Sequence, residues 1–97
     1  MMAEDEVIAV RVVIEGRVQR VGFRYWVSGQ ATTRQLQGWV RNNHTGEVEA
    51  VFSGPASIVE DMISVCHEGP ESARVVSIQR YSAAMPTEKI FQTLPTV

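Results

Sequence analysis

The 97-residue chain sets nine lysines and arginines against eleven aspartates and glutamates, a net charge of −2, at 44% hydrophobic and 21% charged residues. Such a composition fits one globular domain over residues 1–97, excludes a multidomain chain, and offers no run of about 18 apolar residues to cross a membrane. Slight acidity argues against a nonspecific nucleic-acid binder, while one cysteine, Cys66, and an acidic opening segment in place of a basic and then apolar secretory signal point to the cytoplasm.

Residues 1–6 are polar and expected to fray. Alternation then predicts a strand from Val7 to Glu15, with Ile8, Val10, Val12 and Ile14 on a core face and Arg11 and Glu15 on the other. The stretch "GRVQRVG", Gly16 to Gly22, breaks that pattern as a turn would. Phe23, Trp26, Val27 and Ala31 next recur at helical spacing, predicting a first helix over about Gly22 to Gln35. Two short strands, Leu36 to Asn42 and Glu47 to Ser53, flank "NHTG", where Gly46 supplies the positive φ that closes a hairpin. A second helix opens near Pro55, carries Ile58, Val59, Met62, Ile63 and Cys66 on one stripe, and stops at Gly69 and Pro70. Beyond it lie a strand near Ala73 to Tyr81, a polar loop with Pro86, and a weaker strand around Lys89 to Thr93.

This order of elements predicts a ferredoxin-like α+β sandwich, βαββαβ, with two helices on one face of an antiparallel four- or five-stranded sheet. In that plan strands 1 and 2 run parallel with strand 3 between them. The loop after strand 1 and the end of strand 2 therefore emerge at one end of the sheet, about 10 Å apart.

Arg17, Arg20 and Arg24 surround the start of the first helix, where the dipole and the free N–H groups favour carboxylates, and no acid follows in the first turns. In the second helix Glu60 and Asp61 come early, so the reversal is local. A bound anion reconciles the two. Consecutive N–H groups of a glycine-containing loop leading into a helix form a concavity for phosphate, and Arg24 adds a planar guanidinium with paired hydrogen bonds. Solvated surface arginines are the alternative reading of the same pattern. The loop is neither a Walker A cradle, lacking Gly-Lys-Ser/Thr, nor a dinucleotide fingerprint, since Gly16 and Gly22 stand too far apart.

Across the gap, Asn42 closes strand 2. Its amide can orient a water but cannot act as a general base, and a strand-end residue that ties up backbone is an equal alternative. Asn43 reads as a turn residue, a type that tolerates left-handed φ. His44 and His67 lack partners at ligand spacing, so no metal site is expected. Cys66 lies on the apolar stripe as an inert core thiol, and Trp26 and Trp39 read as packing. Glu47 and Glu49 alternate onto the solvent face of strand 3, away from Val48, Ala50 and Phe52, which disfavours paired-carboxylate catalysis.

Two stretches, "GRVQRVGFR" and "GWVRNNHTGEVEAVFSG", resemble the acylphosphatase signatures G-x-V-Q-G-V-x-F-R and G-W-V-x-N-x-x-x-G-x-V-E, and "GPESARVVSI" is similar to the family's segment before strand 4. The likeness runs from Val7 to about Phe91. It implies the fold already reached and metal-independent hydrolysis of the carboxyl-phosphate bond of small acyl phosphates, without cofactor or covalent intermediate, releasing inorganic phosphate. Carried over by motif position, Arg24 and the loop positions Val18, Gln19, Arg20, Val21, Gly22 and Phe23 hold the phosphoryl group, and Asn42 positions the attacking water. A carboxylate leaving group of low pKa asks for little acid help, so positioning and charge stabilisation suffice. A monomer that binds neither nucleic acid nor membrane is expected.

Arg20 stands at the family's second loop glycine, and Gln35 where a glycine usually ends the first helix. If position 20 needs a positive φ, a side chain there costs about 1–2 kcal/mol and can tilt an amide away from the phosphate. A second reading is therefore a catalytically weak module on the same scaffold that binds an anion or a protein. An RNA-binding sheet would need aromatics on the central strands, where Arg11, Val13, Glu47, Glu49 and Val51 stand instead. The chain is also similar to the N-terminal module of the hydrogenase-maturation carbamoyltransferases.

Overall fold

The computed structural model describes residues 6–97. β1 (Val7–Arg17) is followed by α1 (Phe23–Thr33), β2 (Gln37–Asn42), β3 (Val48–Pro55), α2 (Ala56–Cys66), β4 (Arg74–Ser82) and β5 (Phe91–Thr93). All the predicted elements form, with shifted ends. Of the segment expected to fray, residues 1–5 lie outside the described residues, whereas Glu6 is tied down by its carbonyl, which accepts the Ala56 N–H at 2.8 Å.

The strands form one sheet in the order β4-β1-β3-β2-β5. β1 pairs antiparallel with β3 and β4, and β2 antiparallel with β3, so β1 and β2 run parallel on either side of β3 as the ferredoxin-like plan requires. The sheet is nonetheless mixed. β5 pairs parallel with β2, Gly38 opposite Phe91 and Val40 opposite Thr93, which corrects the expectation of an antiparallel sheet. Topology explains the direction: β4 ends where β2 begins, the following loop crosses that end of the sheet, and β5 then sets off alongside β2. Past Thr93 the chain keeps to the same edge, with Leu94 N–H bonded to Val40 C=O (2.9 Å) and Val97 N–H to Asn42 C=O (3.1 Å).

On the helix-covered face, Val12 and Ile14 are fully buried, Val10 nearly so and Ile8 partly. They meet Val40 of β2 and Val48, Ala50 and Phe52 of β3, under Val27 and Ala31 of α1 and Val59, Met62 and Cys66 of α2. This burial holds α1 together, since its internal Gly29 costs about 1 kcal/mol against alanine. α1 ends where Gln35 turns left-handed, φ 58°, with Leu36 N–H on Ala31 C=O (3.0 Å) and Gln35 N–H on Thr32 C=O (2.9 Å). The cap usual for glycine thus forms on a glutamine. Glu60 and Asp61 stand past the first turn of α2, not within it, and bind Arg80 and Arg34. The unusual charge at α1 therefore rests on its arginines alone and not on a contrast with α2.

The other sheet face is closed by a row of side chains. Arg11 lies 4.3 Å from the Tyr81 ring centre and bonds Glu49 Oε2 at 2.8 Å, while Glu49 Oε1 accepts from Arg41 at 2.9 Å, and Arg41 lies 4.6 Å from the Trp39 ring centre. Glu49, expected to face solvent, is therefore buried, because β3 is central and two guanidiniums fold over its carboxylate. Glu47 precedes β3 and accepts a hydrogen bond from Thr45 Oγ1, which, with help from a backbone N–H and Asn43, holds its carboxyl below the usual range. Neither acid is free to act as half of a catalytic pair.

Candidate active site

The loop from Val18 to Gly22 is shaped by what brackets it. At its start β1 is bulged between Glu15 and Gly16, and Gly16 (φ +134°) approaches β4 so closely that a Cβ there would lie 2.1 Å from Arg74 C=O. Val18 and Phe23 are each only 1% exposed, so apolar burial pins both ends of the loop. Between these anchors Arg20 (φ 64°) and Gly22 (φ 78°) are left-handed. The conformation anticipated for position 20 is thus adopted by an arginine, with its cost of about 1–2 kcal/mol.

α1 starts without a side-chain cap and without an acid in its first turn. Its first hydrogen bond runs from Trp26 N–H to Gly22 C=O (3.0 Å), so the N–H groups of Phe23, Arg24 and Tyr25 have no intrahelical acceptor. A cavity of about 310 Å³ opens here, lined by Val18, Arg20, Gly22, Phe23, Arg24, Tyr25, Asn42 and Thr93. The two elements predicted to emerge side by side do so: Arg24 of α1 and Asn42 of β2 line one cavity.

Of the other expected loop residues, Gln19 and Val21 are off the cavity lining. Val21 packs against the core. The Gln19 side chain crosses to the β2–β3 hairpin, where its Nε2 donates to Asn43 C=O (2.7 Å) and to Glu47 C=O (2.8 Å). One amide thereby clamps the loop to the turn that follows Asn42. Asn43 opens the turn as expected, its carbonyl accepting the Gly46 N–H (3.0 Å), and it does so without a left-handed φ. Its N–H pairs with Glu47 C=O (2.9 Å), keeping it in line with the ladder, and Gly46 (φ +107°) supplies the positive φ.

Asn42 Oδ1, on a lining residue, and Asn43 Oδ1, off the lining, are buried and accept no hydrogen bond from a described residue. A buried acceptor without a donor costs about 1–3 kcal/mol, which a water O–H would relieve. Electrostatics points the same way. Arg11, Arg34, Arg41 and Arg80 pair with carboxylates and Arg74 bonds Ala73 C=O, whereas Arg17, Arg20 and Arg24 bond to no described residue. Among the described residues no three His, Cys, Asp or Glu side chains cluster. Cys66 is buried, and burial pushes its thiol up to about 12, which removes it as a nucleophile.

Tyr25 and Thr93 were not anticipated on the lining. Tyr25 directly follows Arg24 and was legible as a neighbour of the loop, but Thr93 comes from β5, whose parallel pairing nothing in the local pattern encodes.

The family model described as acylphosphatase matches residues 10–93. An acylphosphatase of Nitrobacter hamburgensis is 46% identical over 99 aligned residues, covering 96% of this chain and 99% of the relative. The crystal structure of an acylphosphatase from Bacillus subtilis superposes with a TM-score of 0.85 at 31% identity, covering 92% of this chain and 99% of that one. Full-length HypF, in a phosphate- and nucleotide-bound form, contains a similar domain, with a TM-score of 0.85 at 28% identity over 94% of this chain and 12% of its own.

Proposed function

As a member of the acylphosphatase family this chain hydrolyses acyl phosphates, and we propose that Arg24 and the loop amides from Val18 to Phe23 hold the phosphoryl group while Asn42 positions the water. The observation that carries this reading is the shared cavity. It sets a guanidinium without a partner, N–H groups without intrahelical acceptors and the strand-end residue Asn42 around one space.

The phosphoryl oxygens take the N–H groups and the Arg24 fork, in a field that the helix N-terminus makes more positive. Asn42 Oδ1 accepts one water O–H and aims the oxygen's lone pair at phosphorus. As the water oxygen bonds to phosphorus, the phosphorus–acyl oxygen bond breaks and the carboxylate leaves with the electron pair. The water's proton passes to a phosphoryl oxygen. Because the leaving carboxylate is a weak base, no general acid is needed. The lining side chains also include no carboxylate, imidazole or thiol to hold a metal, which supports metal-independent turnover.

Residues 1–97 are read as one acylphosphatase-like domain, acting as a monomer in the cytoplasm. Two observations support the absence of a nucleic-acid partner: Glu49 already occupies both arginines of the open sheet face, and those arginines cover Trp39 and Tyr81. No helix among the described residues is long and apolar enough to cross a membrane. The test of the phosphate site is Arg24→Ala, assayed for benzoyl phosphate hydrolysis with chelator present and for inorganic phosphate binding. Both should fall at least tenfold, in line with the loss of a charge-assisted bidentate contact of about 1.5–3 kcal/mol. Phosphate affinity equal to that of the parent protein would refute the assignment.

A further inference from the structure

The cavity holds one guanidinium more than a phosphoryl group needs. Arg24 and the amides at the start of α1 suffice for that group, yet Arg20 lines the same space, is exposed, and bonds to no described residue. Its backbone N–H serves the loop, but its side chain has no assigned role. Arg20 also holds a left-handed φ that glycine would adopt freely, so the side chain is present despite its conformational cost. Tyr25, 88% exposed, supplies an apolar flank on the same lining.

Resting on the acylphosphatase reading, we infer that Arg20 determines specificity, and that this enzyme favours short acyl phosphates whose acyl part carries a second anionic group such as a carboxylate. In that arrangement the phosphoryl group sits on the amides and Arg24, the acyl chain passes along Tyr25, and the distal anion meets Arg20 at the mouth. The cavity, about 310 Å³, lies at the small end of ligand sites, so the phosphoryl group and a short acyl part fill it and the distal group reaches its mouth.

The test compares kcat/KM for 4-carboxybenzoyl phosphate and benzoyl phosphate, a pair differing only in the distal charge. Because both share the phosphoryl group, their ratio is insensitive to whatever a substitution does to the loop backbone. The parent protein should prefer the carboxylated substrate by roughly three- to fivefold, the range of a partly exposed ion pair, and the preference should shrink with added salt. Arg20→Gln should bring the ratio to about 1 and Arg20→Glu below 1, while Arg20→Lys retains most of it. A ratio near 1 in the parent protein, or one that Arg20→Gln leaves unchanged, overturns the inference. Calorimetry with the two corresponding benzoylphosphonates, which cannot be hydrolysed, gives the same ratio without turnover. Equal affinities there also overturn it. Should Arg24→Ala bind both phosphonates as tightly as the parent does, the phosphate assignment falls while the Arg20 ratio is still read.

Discussion

Replacing Gln19 by alanine removes both hydrogen bonds that clamp the loop after β1 to the hairpin after β2. The two carbonyls left behind keep other donors, since Gly46 N–H bonds Asn43 C=O (3.0 Å) and Asn43 N–H bonds Glu47 C=O (2.9 Å). No acceptor is orphaned, so the loss is that of two ordinary hydrogen bonds, about 1–3 kcal/mol together. Denaturant unfolding of Gln19→Ala should therefore show a lower midpoint with an unchanged slope. Catalysis should suffer out of proportion to stability, because the clamp fixes the proposed phosphoryl cradle relative to Asn42, and a displacement of about 1 Å between reacting groups can cost 100-fold. The kinetic signature is a kcat for benzoyl phosphate lowered at least tenfold, with affinity for inorganic phosphate nearly retained. Gln19→Glu, which keeps the length but loses the donor, should not rescue it. A Gln19→Ala protein with parental kcat under conditions where it is folded would refute the positioning argument, whatever its stability.

Other expectations concern stability. Gly16→Ala drives a Cβ into the β4 backbone at a left-handed position and should lower unfolding free energy by at least about 2 kcal/mol by denaturant titration; a neutral effect would mean that the bulge can shift. Glu49→Gln leaves Arg11 and Arg41 sharing a neutral amide and should cost about 2–4 kcal/mol in the same assay, with Trp39 fluorescence altered. Cys66 has a pKa raised in the folded state from about 9 to about 12, so the unfolded chain loses its proton first as pH rises. Stability should then fall between about pH 9 and pH 12, and less steeply in Cys66→Ala; identical slopes would contradict the burial of the thiol.

Much of the fold was legible because β1 and α2 carry clean periodicities. Ile8, Val10, Val12 and Ile14 alternate, and the Ile58 to Cys66 stripe recurs at helical spacing, so local pattern and tertiary burial agree. β5 is different: its three residues owe their direction to the crossing of the preceding loop, which no local pattern encodes. Glu49 was misread for a related reason. Alternation places it away from the helices, but whether that face is wet depends on Arg11 and Arg41 arriving from other strands. Charge and topology both placed Arg24 and Asn42 at one sheet end, and there they line one cavity. The clamp made by Gln19 was hidden, since a side chain's reach across 24 and 28 residues leaves no trace in spacing.

Asn42→Ala separates the two proposed roles, a water aimed by Asn42 and a phosphate held by the loop and Arg24. Hydrolysis of benzoyl phosphate and affinity for inorganic phosphate should be measured on one preparation. The kcat should fall by about 100-fold or more, the scale of removing a preorganised polar group from a reacting centre, with phosphate affinity within about twofold of the parent. A kcat within threefold of the parent, or phosphate affinity lost along with turnover, would contradict that division of roles.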